Sequence, residues 1–382
     1  MVTIDRIDAA ILDIPTIRGH VLAMATMRQQ SFVLVHVRFS DGSTGLGEGA
    51  SIGGLSYGNE SPESILSAVR DFIAPCLNGL PADNVNGAIL RMEKAVKGNF
   101  IARAAVEMAL WDGLARRRGL PLADLFGGAV RTSMPVAWTL ASGVSSTDIE
   151  EAKELIAAAR HNIFKLKIGT RNVRDDIAHV TAIRQALGDG IGIRVDVNQA
   201  WSMHDARWGT AGLEELGAEL VEQPLSASDT AGMAELTASS RIAIMADEAL
   251  NGPVDAQALA CRRAADVFAV KVAQSGGLKR AREVCAIADA AGIGTYAGTM
   301  LESGVGTAAS LHLFATVDKL QWGSELFAPL LFADEILAEP IRYSDFAVHV
   351  PDGPGIGVEL DPDKLAHYRR DSRKSSLHAL TN

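Results

Sequence analysis

The sequence predicts an α/β protein: a modified (β/α)8-type barrel carrying an α+β capping domain. Three observations predict it. Eight short apolar runs alternate with amphipathic helical stretches between residues 135 and 326. The runs end in charged residues at a regular interval: Asp196, Glu222, Asp247 and Lys271 are 26, 25 and 24 positions apart. The first 130 residues instead place strands first and helices after, the order of a separate α+β unit.

Taken in order, residues 2–14 alternate like a strand, and QQSFVLVHVRFSDGSTGLGEG reads as a hairpin turning at Asp41-Gly42. The segment ASIGGLSYGNESP is too long for a tight turn. Its Gly53, Gly54 and Gly58 flank Leu55 and Tyr57, which suits a loop that is mobile when empty and ordered over a ligand. Residues 62–76 and 83–126 have helical period, the second stretch stopping at Gly127-Gly128. The barrel runs follow: PVAWTLAS, IFKLKIG, IRVDVNQ, ELVEQP, IAIMADE, VFAVKV, GTYAG and LQWGSEL, the last units being irregular. These boundaries give a capping domain over 1–130, a barrel over 131–330, and a segment over 331–382 that is strand-like again and returns to the cap. The polar end, RRDSRKSSLHALTN, reads as a surface helix.

The charged residues of the runs lie at or near the carboxyl ends of their strands, where barrel enzymes hold their active sites. In IFKLKIG, period two puts Lys165 and Lys167 on one face and Phe164, Leu166 and Ile168 on the other. Taken alone this is an edge strand with a solvated lysine face. Asp196, Glu222 and Asp247 on consecutive strands change that reading, because three converging carboxylates repel unless a cation joins them. Oxygen ligands on rigid strands suit a hard ion, Mg²⁺ or Mn²⁺. Glu248 adjoins Asp247, and since adjacent strand residues face opposite ways only one of the two is a ligand unless the strand ends there. Lys271 stands across the ring from Lys165 and Lys167. Lysines close to one another and to a dication have lowered pKa values, which fits them for acid–base work at carbon.

The motifs KLK, DVNQ, EQP and DE, the later lysine, and the stretches DIPTIRGHVLAM, GTMLESGVGT and GSELFAPLL resemble the enolase superfamily, and within it the muconate cycloisomerases. The resemblance spans nearly the whole chain. It implies metal-dependent, reversible cycloisomerisation of cis,cis-muconate to muconolactone, in catechol degradation by the β-ketoadipate pathway. It also implies Asp196, Glu222 and Asp247 as metal ligands and Lys167 as the residue moving the proton at carbon. Lys165 would assist electrostatically, and Lys271 would lie on the opposite face of the substrate. Asn198 and Glu325 would orient groups around the carboxylate. Ile52 and Tyr57 would close over the ligand, and Phe327 would pack near the lactone-forming end. A homo-oligomer, an octamer, is the implied assembly. Relatives acting on chlorinated muconates tend to differ at the positions of Ala269, Gln274 and Phe327. Here Ala269 and Phe327 follow the muconate pattern, while Gln274 stands where a lysine is usual. A chloromuconate cycloisomerase, a dipeptide epimerase and an o-succinylbenzoate synthase are the alternatives, with an idle dicarboxylate-binding barrel from outside the enzyme class.

Composition excludes other classes. At 48% hydrophobic and 21% charged the chain can bury a large core, and a net charge of −10 disfavours nucleic-acid and anionic-membrane binding. The expected partner is a small dicarboxylate. Cys76, Cys261 and Cys285 share no ligand spacing and suggest no disulfide framework. The N-terminus has no basic, apolar leader pattern and no run is long enough to span a membrane, so a cytoplasmic location is expected. GLGEG and GPGIG do not lead from a strand into a helix and read as turns. Arg116, Arg117 and Arg118 read as a solvated helix end or subunit contact.

Overall fold

The computed structural model describes residues 1–23 and 25–370. The first sheet is antiparallel, with strands β1 (Ile4–Val21), β2 (Thr26–Phe39) and β3 (Thr44–Ala50) in that order. Alternation along β2 buries Val33, Val35 and Val37 completely. β1 runs seven residues beyond the predicted strand, with a register irregularity between Pro15 and His20 that carries its end toward the barrel mouth. The glycines of GLGEG lie within β3 and are not turn residues. A Cβ at Gly45 or Gly47 would stand 2.0 Å from the carbonyl oxygen of Ala109 or Ala105, so their absence of side chain lets helix Phe100–Arg118 pack onto the strand backbone.

The long helical stretch expected over 83–126 is broken into Val85–Ala95, Phe100–Arg118 and a short 3₁₀ turn, Leu122–Phe126. The first piece ends at an extended Val96, and left-handed Gly98 (φ 60°) and Asn99 (φ 46°) turn the chain into the second, which has Asn99 at its N-cap. The arginines closing the second piece make contacts within the chain. Arg116 pairs with Asp112 and Glu359, and Arg117 pairs with Asp83 and stacks on Phe39.

After β4 (Ser133–Pro135), seven strands form one parallel sheet: β5 (Trp138–Leu140), β6 (Ile163–Lys167), β7 (Gly192–Asp196), β8 (Leu220–Glu222), β9 (Ala243–Ala246), β10 (Val267–Val270) and β11 (Gly294–Ala297). The eighth run contributes one bridging residue. Ser324 pairs in parallel with both Val136 and Ala297 and so closes the curled sheet into a barrel. Helices alternate with these strands on the outside, and a layer of Leu220, Met245, Val267, Ala269 and Tyr296 fills the interior.

Beyond the barrel, β12 (Tyr343–Ser344) pairs with β13 (Ala347–His349) and β13 with β4, and the chain also reaches the first sheet's unit. Ala333 N–H donates to Pro15 O at 2.8 Å and Ile356 N–H to Asp112 Oδ1 at 2.8 Å. Of the polar end expected as a helix, residues 371–382 lie outside the described residues. Arg369 bridges Leu12, and Arg370 is paired with Asp13 and Glu63. Cys76, Cys261 and Cys285 are free, and no described helix is long and apolar enough to cross a membrane.

Candidate active site

The carboxyl ends of β6 to β10 deliver the charged residues into one buried place. Lys165, on the inward face of β6, is 2% exposed, which a solvated edge strand would not allow. Its Nζ donates to Glu222 Oε2 at 2.9 Å and Glu325 Oε2 at 2.5 Å, and lies 3.4 Å from Asp196 Oδ2. One turn of the pleat further, Lys167 Nζ donates to Asp196 Oδ2 at 2.5 Å and Asn198 Oδ1 at 3.3 Å. Across the ring Lys271 Nζ donates to Asp247 Oδ2 at 2.6 Å and to the Tyr57 hydroxyl at 2.7 Å. Tyr57 in turn donates to Asp247 Oδ2 at 2.9 Å, so the loop residue reaches the barrel carboxylate directly. Thr139 holds the other oxygen of Glu325 at 2.9 Å.

Burial disfavours charge on Lys165, but the carboxylates of Glu222, Glu325 and Asp196 outweigh it and hold the ammonium well above its ordinary range. Lys271 is raised in the same way, burial being overridden chiefly by Asp247. The lowered amines expected from sequence assumed a dication among them; among the protein's own charges the acids prevail. Asp196 is held below the usual carboxylate range, its burial overcome by Lys167 and Lys165. Glu222 goes the other way, pushed well up by burial and by repulsion from Asp196.

The donor set is all oxygen, as a hard divalent ion requires. Glu222 Oε1, Asp247 Oδ1 and Glu248 Oε2 are buried without a hydrogen-bond partner, an arrangement that costs stability unless something else satisfies them. Among the described residues no group of three acidic, imidazole or thiol side chains is gathered closely enough to hold an ion. The other oxygens of Glu222 and Asp247 face Lys165 and Lys271, and Asp196 faces Lys167, so the residues fit a cation once the side chains reorient toward it. Glu248 does not follow the alternation argument, because β9 ends at Ala246. Its carboxyl turns into the same region, accepts from Asn198 Nδ2 at 3.1 Å, and is pushed up to about 7 by burial and by Asp247.

Around these groups is a cavity of about 20 Å³, lined among others by Ile52, Tyr57, Lys165, Lys167, Lys271 and Glu325. Phe327 is not among the lining residues; it is fully buried, its ring 4.9 Å from that of Trp138. Four lining residues were given no site role from sequence: His20, Leu22, Thr299 and Leu301. His20 arrives on the irregular end of β1 and is 1% exposed; burial and the nearby lysine charges keep its imidazole neutral. No local pattern marks it, since only the path of β1 brings it here.

Fold and site together define a class: a capped parallel barrel whose mouth sets opposed lysines against acidic strand ends. Residues 6–127 match the mandelate racemase/muconate lactonizing enzyme N-terminal domain, and residues 147–364 match the enolase C-terminal domain-like family. The chain is 52% identical to muconate cycloisomerase 1-2 of Acinetobacter lwoffii over 98% of its own length and 97% of that protein's. It is 48% identical to muconate cycloisomerase 1 of Pseudomonas putida, over 97% and 99%. Its fold superposes with a TM-score of 0.95 on the muconate lactonizing enzyme of Pseudomonas fluorescens solved with muconolactone, at 51% identity, covering 96% of this chain and 99% of that one. Chloromuconate cycloisomerase CbnB of Cupriavidus necator is 44% identical over 96% of this chain and 99% of that protein. The chain therefore belongs to the mandelate racemase/muconate lactonizing enzyme family of the enolase superfamily.

Proposed function

We propose that the protein is a muconate cycloisomerase, interconverting cis,cis-muconate and muconolactone. The observation that carries this reading is the opposition of Lys167 and Lys271 across Asp196, Glu222 and Asp247. The domain limits given above, a homo-oligomeric assembly and a divalent ion, Mn²⁺ or Mg²⁺, belong to the same proposal. Asp196, Glu222 and Asp247 would hold the ion, which when bound supplies fixed positive charge beside a substrate carboxylate as electrons move onto it.

The chain's own groups account for the rest. A carboxylate oxygen at one end of muconate closes onto the β-carbon of the enoate at the other end. The π pair shifts to the α-carbon and its carboxylate, and the Lys167 ammonium gives its proton to that α-carbon. Lys167 is left neutral and regains a proton from solvent; in the reverse direction the neutral amine removes the α-proton. Asp196 and Asn198 aim Lys167, and Glu325 and Glu222 hold Lys165 charged beside it. Lys271 adds positive charge from the opposite side, and Tyr57 and Ile52 exclude water from above.

Gln274 supports a second reading, a chloromuconate cycloisomerase. It stands where a lysine is usual, and its Nε2 is committed to Asp247 O at 2.8 Å and Leu250 O at 3.1 Å, leaving a neutral amide beside the site. Metal-stripped protein assayed with and without Mn²⁺ on muconates, chloromuconates, dipeptides and succinylbenzoate precursors separates these. The expected result is metal-restored turnover of muconate above all others. A dipeptide or succinylbenzoate precursor turned over fastest would overturn the proposal, and a chloromuconate fastest would favour the second reading.

A further inference from the structure

Residues 298–303 join β11 to helix Gly304–Ala315 and put Thr299 and Leu301 into the cavity wall. Leu301 has φ 58°, a left-handed conformation that a leucine holds only when its surroundings impose it. The loop's own side chains satisfy its N–H groups. Leu301 N–H donates to Thr299 Oγ1 at 2.9 Å, Met300 N–H to Glu302 Oε2 at 2.9 Å, and the Thr299 hydroxyl to that same carboxylate oxygen. Its carbonyls depend on another part of the molecule. Met300 O and Leu301 O both accept from Nε2 of Gln30, at 3.1 and 2.9 Å. Gln30 lies on β2, 1% exposed and 270 residues away in sequence. On the adjoining strand β3, Glu48 takes the next N–H groups, Ser303 at 2.8 Å and Gly306 at 3.0 Å.

We propose that Gln30 is a positioning residue for the substrate pocket: its amide, by binding both carbonyls, keeps Leu301 in the left-handed conformation that presents its side chain to the ligand. This rests on the reading of the cavity as the substrate site. Without that donor two buried carbonyls lose their partner, and the strained residue between them has a reason to relax. Gln30 is neutral and touches neither a lysine nor an acidic strand end, so its loss leaves proton transfer and metal binding in place. The effect falls on ligand fit, through a loop laid down by the barrel and shaped by the first sheet.

Gln30→Leu keeps most of the volume and removes the donor; Gln30→Glu keeps the shape and serves if the first variant does not fold. Either is expected to raise KM for muconate about 10-fold, with kcat within roughly 3-fold of wild type. Mn²⁺ affinity stays at the wild-type value, and hydrogen–deuterium exchange of residues 299–303 quickens. Leu301→Gly adopts the same φ without strain and has no side chain to present. In that background Gln30→Leu should leave KM unchanged. An unchanged KM in the single variants, or the same KM factor in both backgrounds, overturns the proposal. If wild-type protein fails to turn over muconate, the substrate reading fails by itself. The exchange measurement still judges Gln30, because unaltered exchange at 299–303 contradicts its role.

Discussion

Asp247 and Glu248 are neighbours in sequence, both buried and both carboxylates, yet they face different partners. Asp247 meets Lys271 and Tyr57; Glu248 meets the Asn198 amide. As an ion ligand Asp247 is expected to be indispensable and Glu248 supportive. Asp247→Asn should weaken Mn²⁺ binding by more than about 100-fold, and Glu248→Gln by roughly 10-fold, as for groups that orient ligands. Titration of Mn²⁺ by electron paramagnetic resonance checks this, and equal losses would contradict it. At this scale the strand alternation around Lys165 and Lys167 and the interval from Asp196 to Asp247 were legible in the sequence. The facing of Glu248 was not, because alternation holds only while a strand lasts and β9 stops two residues earlier. His20 and Gln30 were also out of reach, since each acts through a contact set by the whole fold.

The loop over the mouth poses its question as an element. Gly53 and Gly54 are left-handed, at φ 57° and 60°, and Tyr57 lines two spaces at once: the 20 Å³ cavity among the lysines and a 280 Å³ cavity beside Glu248 and Gln274. The smaller has room for about one water molecule and none for a six-carbon dicarboxylate. Ligand entry therefore requires Tyr57 and its loop to move, and the glycines permit it. Tyr57→Ala should alter the ratio of kcat/KM for muconate and chloromuconate by about 10-fold, the scale of one lost pocket contact. An unchanged ratio would reduce the segment to a connector. Its length and glycines made the loop readable in sequence. The break at Gly98-Asn99 was equally visible as residues, and helical period on both sides concealed it.

For the whole molecule, the seam between the first unit and the barrel is built around buried acids. Glu107, on helix Phe100–Arg118, accepts from Lys279 N–H at 2.9 Å and Trp111 Nε1 at 3.1 Å, and fills the space a Cβ on Gly277 would need. Burial pushes its carboxyl up to about 7 from an ordinary 4.5, against those hydrogen bonds. The unfolded chain therefore releases this proton first as pH rises, and stability falls between about 4.5 and 7 before levelling off. Glu107→Gln, neutral throughout, should gain on wild type across that window, by up to about 3 kcal/mol between pH 5 and pH 8. Urea unfolding at several pH values measures it; parallel curves would count against a protonated Glu107. The barrel count and the order of strands before helices were legible along the chain. The closing of the barrel through Ser324 alone was not, because one bridging residue leaves no periodic trace.

The proposed chemistry turns on Lys167, and one measurement addresses it directly: exchange of the α-proton of muconolactone with solvent deuterium, followed by NMR in wild type and Lys167→Ala. The account predicts that the variant neither cyclises muconate nor exchanges that proton, while still binding Mn²⁺ as wild type does. Exchange at the wild-type rate in Lys167→Ala would contradict it and move the proton-transfer role to Lys271.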